Sequence, residues 1–389
     1  MINVVTKICQ RCVMDNSVCE ISFDDSGHCN YCDEFLKRSS EVIVNSSNVR
    51  SEQLSEFIGK VKKDGEGKKY DCIIGVSGGV DSSWVLVQAV ELGLRPLAVH
   101  MDNGWNSELA QHNITSLVKT LDVDLVTHVI DWFEYRNLMQ SFLDSDVVDV
   151  ELLYDNAMFG VNYQQAAKFG VKHILGGMNQ ATEGMRMPSG WNHLKFDKRN
   201  IKAIAKKFGG YRLNTFPVIG VLDFVYYEFF ARVKWASILD LMDYSKEQAL
   251  SVLETQYGYK PYPYKHYESI FTRFYQGYLL PEKFGFDKRK VHFSTLIVSG
   301  QMSRDDALED LKRPYAYSSE VELERDKEYF LKKMGWKHED LQNYLLRNPV
   351  AHSSYSSEKR LYDILLKIYR LGLPAIGTIK DRVNGILKK

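Results

Sequence analysis

Proline, net charge and long apolar runs are all scarce in this 389-residue chain, and each scarcity removes a class of explanation. Only 9 prolines occur against 44% hydrophobic and 26% charged residues, so neither a collagen-like nor an intrinsically disordered chain fits. Lys plus Arg and Asp plus Glu number 50 each, so no overall field draws the protein to a polyanion, and a dedicated nucleic-acid binder is not expected. The most apolar stretch, 216–241, is interrupted by Asp223, Glu228, Arg232, Lys234 and Asp240. It falls short of the ~20 clean apolar residues a membrane span needs and reads as a buried helix. Residues 1–10 lack the apolar run of a secretory signal, which places the protein in the cytoplasm, where thiols stay reduced. Cysteines are few as well, but five of the six precede residue 33, a crowding that asks for a metal before a disulfide.

Length and composition shifts divide the chain into four parts: a cysteine-rich, zinc-ribbon-like module over 1–38; a linker and helix over 39–69; an α/β domain over 70–220; and a mainly helical region over 221–389. In the second part Leu54, Phe57, Ile58 and Val61 line one face of a helix over 51–63. In the third, short apolar strands at 71–76, 96–101, 125–130 and 171–175 alternate with helices at 82–92, 109–121 and 163–169. That alternation predicts a doubly wound parallel sheet covered on both faces. Beyond residue 214 the strand signal fades, and amphipathic helices are expected at 245–256, 303–311 and 323–334. These form a substrate-binding or oligomerisation region.

Cys9-x2-Cys12 and Cys29-x2-Cys32, 16 residues apart, have the spacing of a four-thiolate zinc site. Four thiolates close a tetrahedral shell and leave no position for water, so the role is structural. Cys19, inside the loop between the pairs, reads as a packing residue, and Cys72 as a small hydrophobe on a strand.

The first strand runs into Ser77, Gly78, Gly79, Val80, Asp81, Ser82 and Ser83, directly followed by a helix. Two glycines let the backbone approach a ligand, amides and a helix N-terminus aim positive charge at it, and three serines add donors. Such a loop binds phosphate, yet it lacks the lysine of the loops that serve γ-phosphoryl transfer. It resembles the PP-loop of the ATP pyrophosphatases that cleave ATP between the α and β phosphates. Asp81 suits a polyphosphate only with a cation between them, so Asp81 is the Mg2+ candidate. Asp102, ending the second strand, serves the metal or the acceptor, or is a plain turn-former.

The loop, the opening Cys9-x2-Cys12-Val13-Met14-Asp15 and the later segments 176–184, 265–275 and 283–289 together resemble the bacterial N-acetyl sugar amidotransferases, WbpG-like proteins of surface polysaccharide biosynthesis. That resemblance implies an enzyme that uses ATP, Mg2+ and structural Zn2+ to convert an acetamido group of a nucleotide-activated sugar, such as a UDP-diacetamido uronic acid, into an acetamidino group in O-antigen lipopolysaccharide assembly. By the likeness to the ATP pyrophosphatases, backbone near Val99 to Met101 would hold adenine. Ser77, Asp81, Asp102 and Glu183 would be the reacting site, with Glu183 orienting the amide or ammonia unless it is only a capping or ion-paired carboxylate.

Residues 259–292 hold seven Lys or Arg against three acids, with six Tyr and four Phe. Lys265, Arg273, Lys288 and Arg289 would bind the nucleotide sugar, against the alternative of core aromatics with solvated bases between them. A glutaminase needs a nucleophilic cysteine at the N-terminus or beside a histidine, and neither is present. A separate glutaminase subunit is therefore expected to supply ammonia; a homo-oligomer is compatible with the sequence, and no nucleic-acid or membrane partner is expected. A tRNA thiolation enzyme is the competing reading, disfavoured because Cys72 is the sole cysteine outside the N-terminal module and the net charge is zero.

Overall fold

The computed structural model describes residues 7–42, 47–263 and 267–372. The second cysteine pair runs into α1 (Asn30–Val42), which carries Cys32, and α2 (Ser47–Asp64) follows. The α/β part then runs β1 (Cys72–Gly75), α3 (Val80–Glu91), β2 (Pro96–Asp102), α4 (Glu108–Thr120), β3 (Leu125–Val129), α5 (Trp132–Asp144), α6 (Leu152–Phe169) and β4 (His173–Gly176). Two short helices, α7 (Gln180–Glu183) and α8 (Lys198–Ile204), precede α9 (Val221–Val225) and β5 (Lys234–Ser237). The remainder is helical: α10 (Lys246–Tyr257), α11 (Ile270–Phe274), α12 (Lys288–Val298), α13 (Arg304–Asp310), α14 (Glu320–Met334), α15 (His338–Leu346) and α16 (Lys359–Gly372). A π-helical stretch, Tyr275–Phe284, continues α11.

The five strands form one parallel sheet in the order β3-β2-β1-β4-β5. The chain winds outward from β1 to β3 and then returns to the other side of β1 with β4, so the direction of winding reverses between β1 and β4. In such sheets the crevice at the carboxyl ends of those two strands is where ligands gather. Cys72, Ile73 and Ile74 are wholly buried because the sheet separates two apolar cores. On one face β1, α3 and α4 contribute Ile74, Val85, Leu86 and Leu117; on the other α5 and α6 contribute Phe142, Leu153 and Tyr163. The expected doubly wound fold, four-cysteine N-terminus and helical C-terminal region are all present.

Three expectations need correction. The stretch 216–241 is not one buried helix: it holds α9, a π-helical turn Tyr226–Phe230, β5 and a 3-10 turn Ile238–Leu241. Arg232, at φ 57°, breaks the helix, and Phe230 is 75% exposed. Because β5 pairs with β4 from Lys234 to Ser237, the sheet extends past residue 220, so that boundary cuts through the α/β unit. Helix α6 also begins at Leu152, eleven residues before the expected 163: its first three turns are largely buried and carry no exposed polar stripe to betray the period, and only its last turns, with Gln164, Ala167 and Lys168, are exposed.

Candidate active site

The loop after β1 is built by backbone conformation and by a set of small side chains. Gly78 sits at φ +87°, a region L side chains avoid, and a Cβ there would lie 2.9 Å from the Ala110 carbonyl oxygen. Gly78→Ala should therefore destabilise the loop by about 1–2 kcal/mol from backbone strain alone, before the clash is counted, lowering the unfolding midpoint and weakening the binding of a phosphate-bearing ligand at the loop. Titration calorimetry and denaturant unfolding read the two effects separately. Ser77 Oγ lies 3.2 Å from Ser82 Oγ and accepts from the Gly79 N–H at 3.3 Å, which folds the loop over the first turn of α3. Beside it Gly177, at the end of β4, permits an approach that a Cβ would block, 2.8 Å from the Ser82 amide nitrogen.

Asp81 is at the centre of the crevice. Its carboxylate accepts from the Tyr244 hydroxyl and, at 3.4 Å, from Thr182 Oγ1. Thr182 sits on α7, whose first turn is fixed by the Asn179 side chain accepting from the Thr182 N–H at 2.8 Å. Burial, and then the charge of Asp81, push the Tyr244 hydroxyl far above the ordinary tyrosine range, so it is a neutral donor at any working pH. Glu183 follows Thr182 on α7, and its charge acts on Tyr244 in the same direction. The structure thus brings Ser77, Asp81 and Glu183 into one region, while Asp102 is engaged elsewhere: its Oδ1 accepts from the Gly104 N–H at 2.9 Å and from Asn106 Nδ2 at 3.2 Å, which is turn-forming geometry. Val99 and Met101 are buried in β2, and the Val99 carbonyl already accepts from the Val76 N–H.

Tyr244, Tyr259 and Glu268, which the sequence did not single out for this site, border the loop. The Tyr259 hydroxyl donates to the Gly78 carbonyl at 3.0 Å. The Glu268 carboxylate reaches within 3.6 Å of where a Gly79 Cβ would stand, because its segment is joined to the β2–α4 connection by Ser107 N–H to Glu268 O and Ile270 N–H to Trp105 O. Tyr259 belongs to the aromatic-rich segment already noted, so part of that density clasps the loop. Two carboxylates, Asp81 and Glu268, flank a loop of phosphate-binding form, a donor set that suits a hard divalent cation between them and a polyphosphate.

A cavity of about 870 Å³ opens beside Thr182 and Glu183. Arg273, Lys288 and Arg289 all border it, but each has internal partners. Arg273 forms a fork with Asp326, Lys288 reaches Glu151 at 2.7 Å, and Arg289 reaches Asp287 at 2.7 Å and the Arg313 carbonyl at 2.9 Å. Lys265 lies outside the described residues. Sequence reading missed Lys195, which also borders the cavity and bridges Asp149 and Asp155 at 2.8 Å each. Burial opposes ionisation of Asp149, yet the charges of Lys195 and Lys288 bring its carboxyl down to about 2; burial pushes Asp155, closer to the cavity, the other way. No residue type in the sequence marks Lys195, since its partners lie some forty positions away.

At the N-terminus, Cys9, Cys12, Cys29 and Cys32 are wholly buried and converge, with their sulfurs all within 4.8 Å of one another. Adjacent sulfurs lie 3.5, 3.7 and 3.8 Å apart. Ligands about 2.3 Å from a tetrahedral ion sit roughly 3.8 Å apart, so the cluster is compatible with zinc. N–H groups of Arg11, Met14 and Cys29 donate to the sulfurs, which favours thiolates. Cys19 is exposed and outside the cluster, so it does not pack as expected.

Residues 268–369 match the family model described as "LPS biosynthesis protein WbpG-like, C-terminal domain". No curated protein matches the chain. Among solved structures, NMN synthetase from Francisella tularensis is similar at 15% identity over 57% of this chain and 90% of that one, with a TM-score of 0.30. An NH3-dependent NAD synthetase from Campylobacter jejuni is similar at 18% identity over 54% and 84%, with a TM-score of 0.29. Among the described residues no helix is long and apolar enough to cross a membrane.

Proposed function

With a WbpG-like C-terminal domain joined to a phosphate-binding α/β sheet, we propose that the chain is an ATP-dependent amidotransferase that converts an acetamido group of a nucleotide-activated sugar into an acetamidino group, for surface polysaccharide assembly. The observation that supports this reading is the contact between Asp81 of the loop and Thr182 of the cavity's edge, which puts the loop next to the large cavity, as a nucleotide site beside an acceptor site would require. An amide carbon is a poor electrophile because its oxygen leaves badly. The reading therefore has the amide oxygen attack the α-phosphate of ATP, breaking the α,β bond and releasing pyrophosphate. The resulting O-adenylyl imidate is attacked at carbon by ammonia, the carbon–oxygen bond breaks, and AMP departs with the former amide oxygen.

In this scheme the loop amides and the N-terminus of α3 face the phosphates, and Ser77 and Ser82 offer hydroxyl donors to them. Asp81, with Glu268 opposite, would hold Mg2+, which supplies charge neutralisation for the departing pyrophosphate. Tyr244 and Thr182 keep the Asp81 carboxylate oriented. Glu183 borders the cavity next to Thr182, where it would accept a hydrogen bond from the acetamido N–H or from ammonia. The zinc assigned to the four cysteines remains structural.

The nitrogen source is proposed to be a separate glutaminase subunit, because the described cysteines are either in the cluster, exposed at Cys19 or buried in β1 at Cys72. Incubation with ATP, ammonium and a panel of UDP-linked diacetamido sugars should give AMP, pyrophosphate and an acceptor whose mass reflects replacement of oxygen by NH. Glutamine should not replace ammonium with the purified chain. ADP as the sole nucleotide product, or amidine made from glutamine without a partner, would contradict the mechanism or the two-subunit arrangement respectively.

A further inference from the structure

Two walls of the acceptor cavity rest on the four-cysteine module. One is the irregular segment between α7 and α8, where Met185 and Trp191 are buried in the same apolar cluster as the four cysteines, Tyr31 and Phe35. The other is α12: Val291 joins that cluster, Ser294 Oγ accepts from the Val13 N–H at 3.2 Å, and Lys290 Nζ reaches Asp15 at 2.5 Å. Arg304 of α13 adds donors to the carbonyls of Cys9 at 2.9 Å and Cys12 at 3.0 Å. Met185, Arg186, Val291 and His292 border the cavity directly.

Arg186 makes several of these links at once. Its Nε donates to Glu34 Oε2 at 2.9 Å, its Nη1 donates to Glu20 Oε2 at 3.2 Å, and its guanidinium stands 4.6 Å from the centre of the Tyr31 ring. Tyr31 lies between Cys29 and Cys32, and Glu34 two residues beyond. A side chain of the cavity wall is therefore held by groups whose own placement depends on the second cysteine pair. The segment carrying Arg186 has little regular structure of its own from Gly184 to Asp197, so its shape is imposed by what it packs against. The phosphate loop is met by Gly177, Tyr244, Tyr259 and Glu268, none of them in the module, and by Thr182 of α7 at the cavity's edge.

We propose that the four-cysteine module is the support of the acceptor cavity, with Arg186 as its positioning residue, so that metal binding at the cysteines sets how firmly the acceptor is held while the nucleotide loop keeps its form. This rests on the cavity being the acceptor site, but the mechanical coupling does not, and the experiment separates the two. Hydrogen exchange on the full chain, with zinc bound and after chelation, reads the coupling without any acceptor. Chelation should raise exchange in 184–193 and 288–298 by ~10-fold or more while 72–91 changes little, as expected for local opening of one unit. Arg186→Gln with zinc retained should raise exchange in 184–193, and Arg186→Lys should restore part of the protection.

In turnover with a UDP-linked diacetamido sugar, Arg186→Gln should raise the acceptor KM several-fold and leave the ATP KM and kcat near their starting values, a split that general destabilisation would not produce. Unchanged exchange in 184–193 after zinc loss would overturn the proposal, as would equal loss of protection in 72–91, which would make the module a stabiliser of the whole chain. If the exchange pattern appears and the sugar panel gives no turnover, the coupling stands and the assignment of the acceptor fails.

Discussion

Asp81→Asn is expected to lower turnover by at least ~100-fold, because a cation that offsets charge on a departing pyrophosphate contributes several kcal/mol, and each ~1.4 kcal/mol is tenfold in rate. Asparagine keeps the size of the side chain and an oxygen able to accept from Tyr244 and Thr182, so the fold should hold and the thermal midpoint should stay close to that of the parent. What disappears is the charge. The variant should need much more Mg2+ for whatever rate remains, a dependence that steady-state rates at graded Mg2+ measure directly. Near-normal rates at ordinary Mg2+ would return Asp81 to the role of a helix N-terminal carboxylate on α3.

Cys12→Ser should release the metal and unfold the module. A structural zinc shell contributes folding free energy outright, roughly 10–16 kcal/mol apparent in small zinc peptides, and one hydroxyl among three thiolates does not replace it. The loss should spread, because Val13 is bonded to Ser294 and the carbonyls of Cys9 and Cys12 are capped by Arg304. Elemental analysis and near-ultraviolet dichroism would record metal loss together with loss of fixed packing around Trp191, which stacks on Phe286 at 4.9 Å. Cys19→Ser is the control: that thiol is exposed and outside the cluster, so zinc content should not change. Full zinc in Cys12→Ser would remove Cys12 from the ligand set.

The features that sequence disclosed are those whose chemistry is written locally. Cys9, Cys12, Cys29 and Cys32 announce themselves by spacing, and Ser77 to Ser83 by a glycine pair between a strand and a helix. Apolar strands with polar boundaries mark β1, β2 and β3 within a residue or two; β1 and β2 are buried on both faces, which leaves little else for such runs to do, whereas β3 lies at the sheet's edge and is partly exposed. β5 escaped because its four residues, Lys234–Ser237, lie inside a longer apolar stretch in which helix and strand cannot be told apart by periodicity. Helix α5 is not among the elements expected from the sequence, although Asp131 caps it by accepting from the Glu134 N–H at 2.7 Å, which is a start signal.

The candidate site was half legible for a related reason. Asp81 and Glu183 carry their own context, one inside the loop and one after a strand. Tyr244, Tyr259 and Glu268 do not, because they arrive at the loop from 160 to 190 positions away and only the fold makes them neighbours. The basic residues chosen from the aromatic segment illustrate the converse. Arg273 and Arg289 do border the cavity, yet their donors are occupied by Asp326, Asp287 and backbone carbonyls. Charge in a sequence says that a partner exists, and only the structure says whether that partner is a ligand or another residue.

The central claim is that the acceptor's amide oxygen attacks the α-phosphate of ATP. It is tested most directly with a UDP-linked diacetamido sugar whose acetamido oxygens are oxygen-18, incubated with ATP, Mg2+ and ammonium, followed by mass spectrometry of the nucleotide released. The account predicts one oxygen-18 in the phosphate of each AMP formed, one AMP per amidine, and unlabelled pyrophosphate; label in pyrophosphate or inorganic phosphate, or AMP without label beside an amidine product, would contradict it.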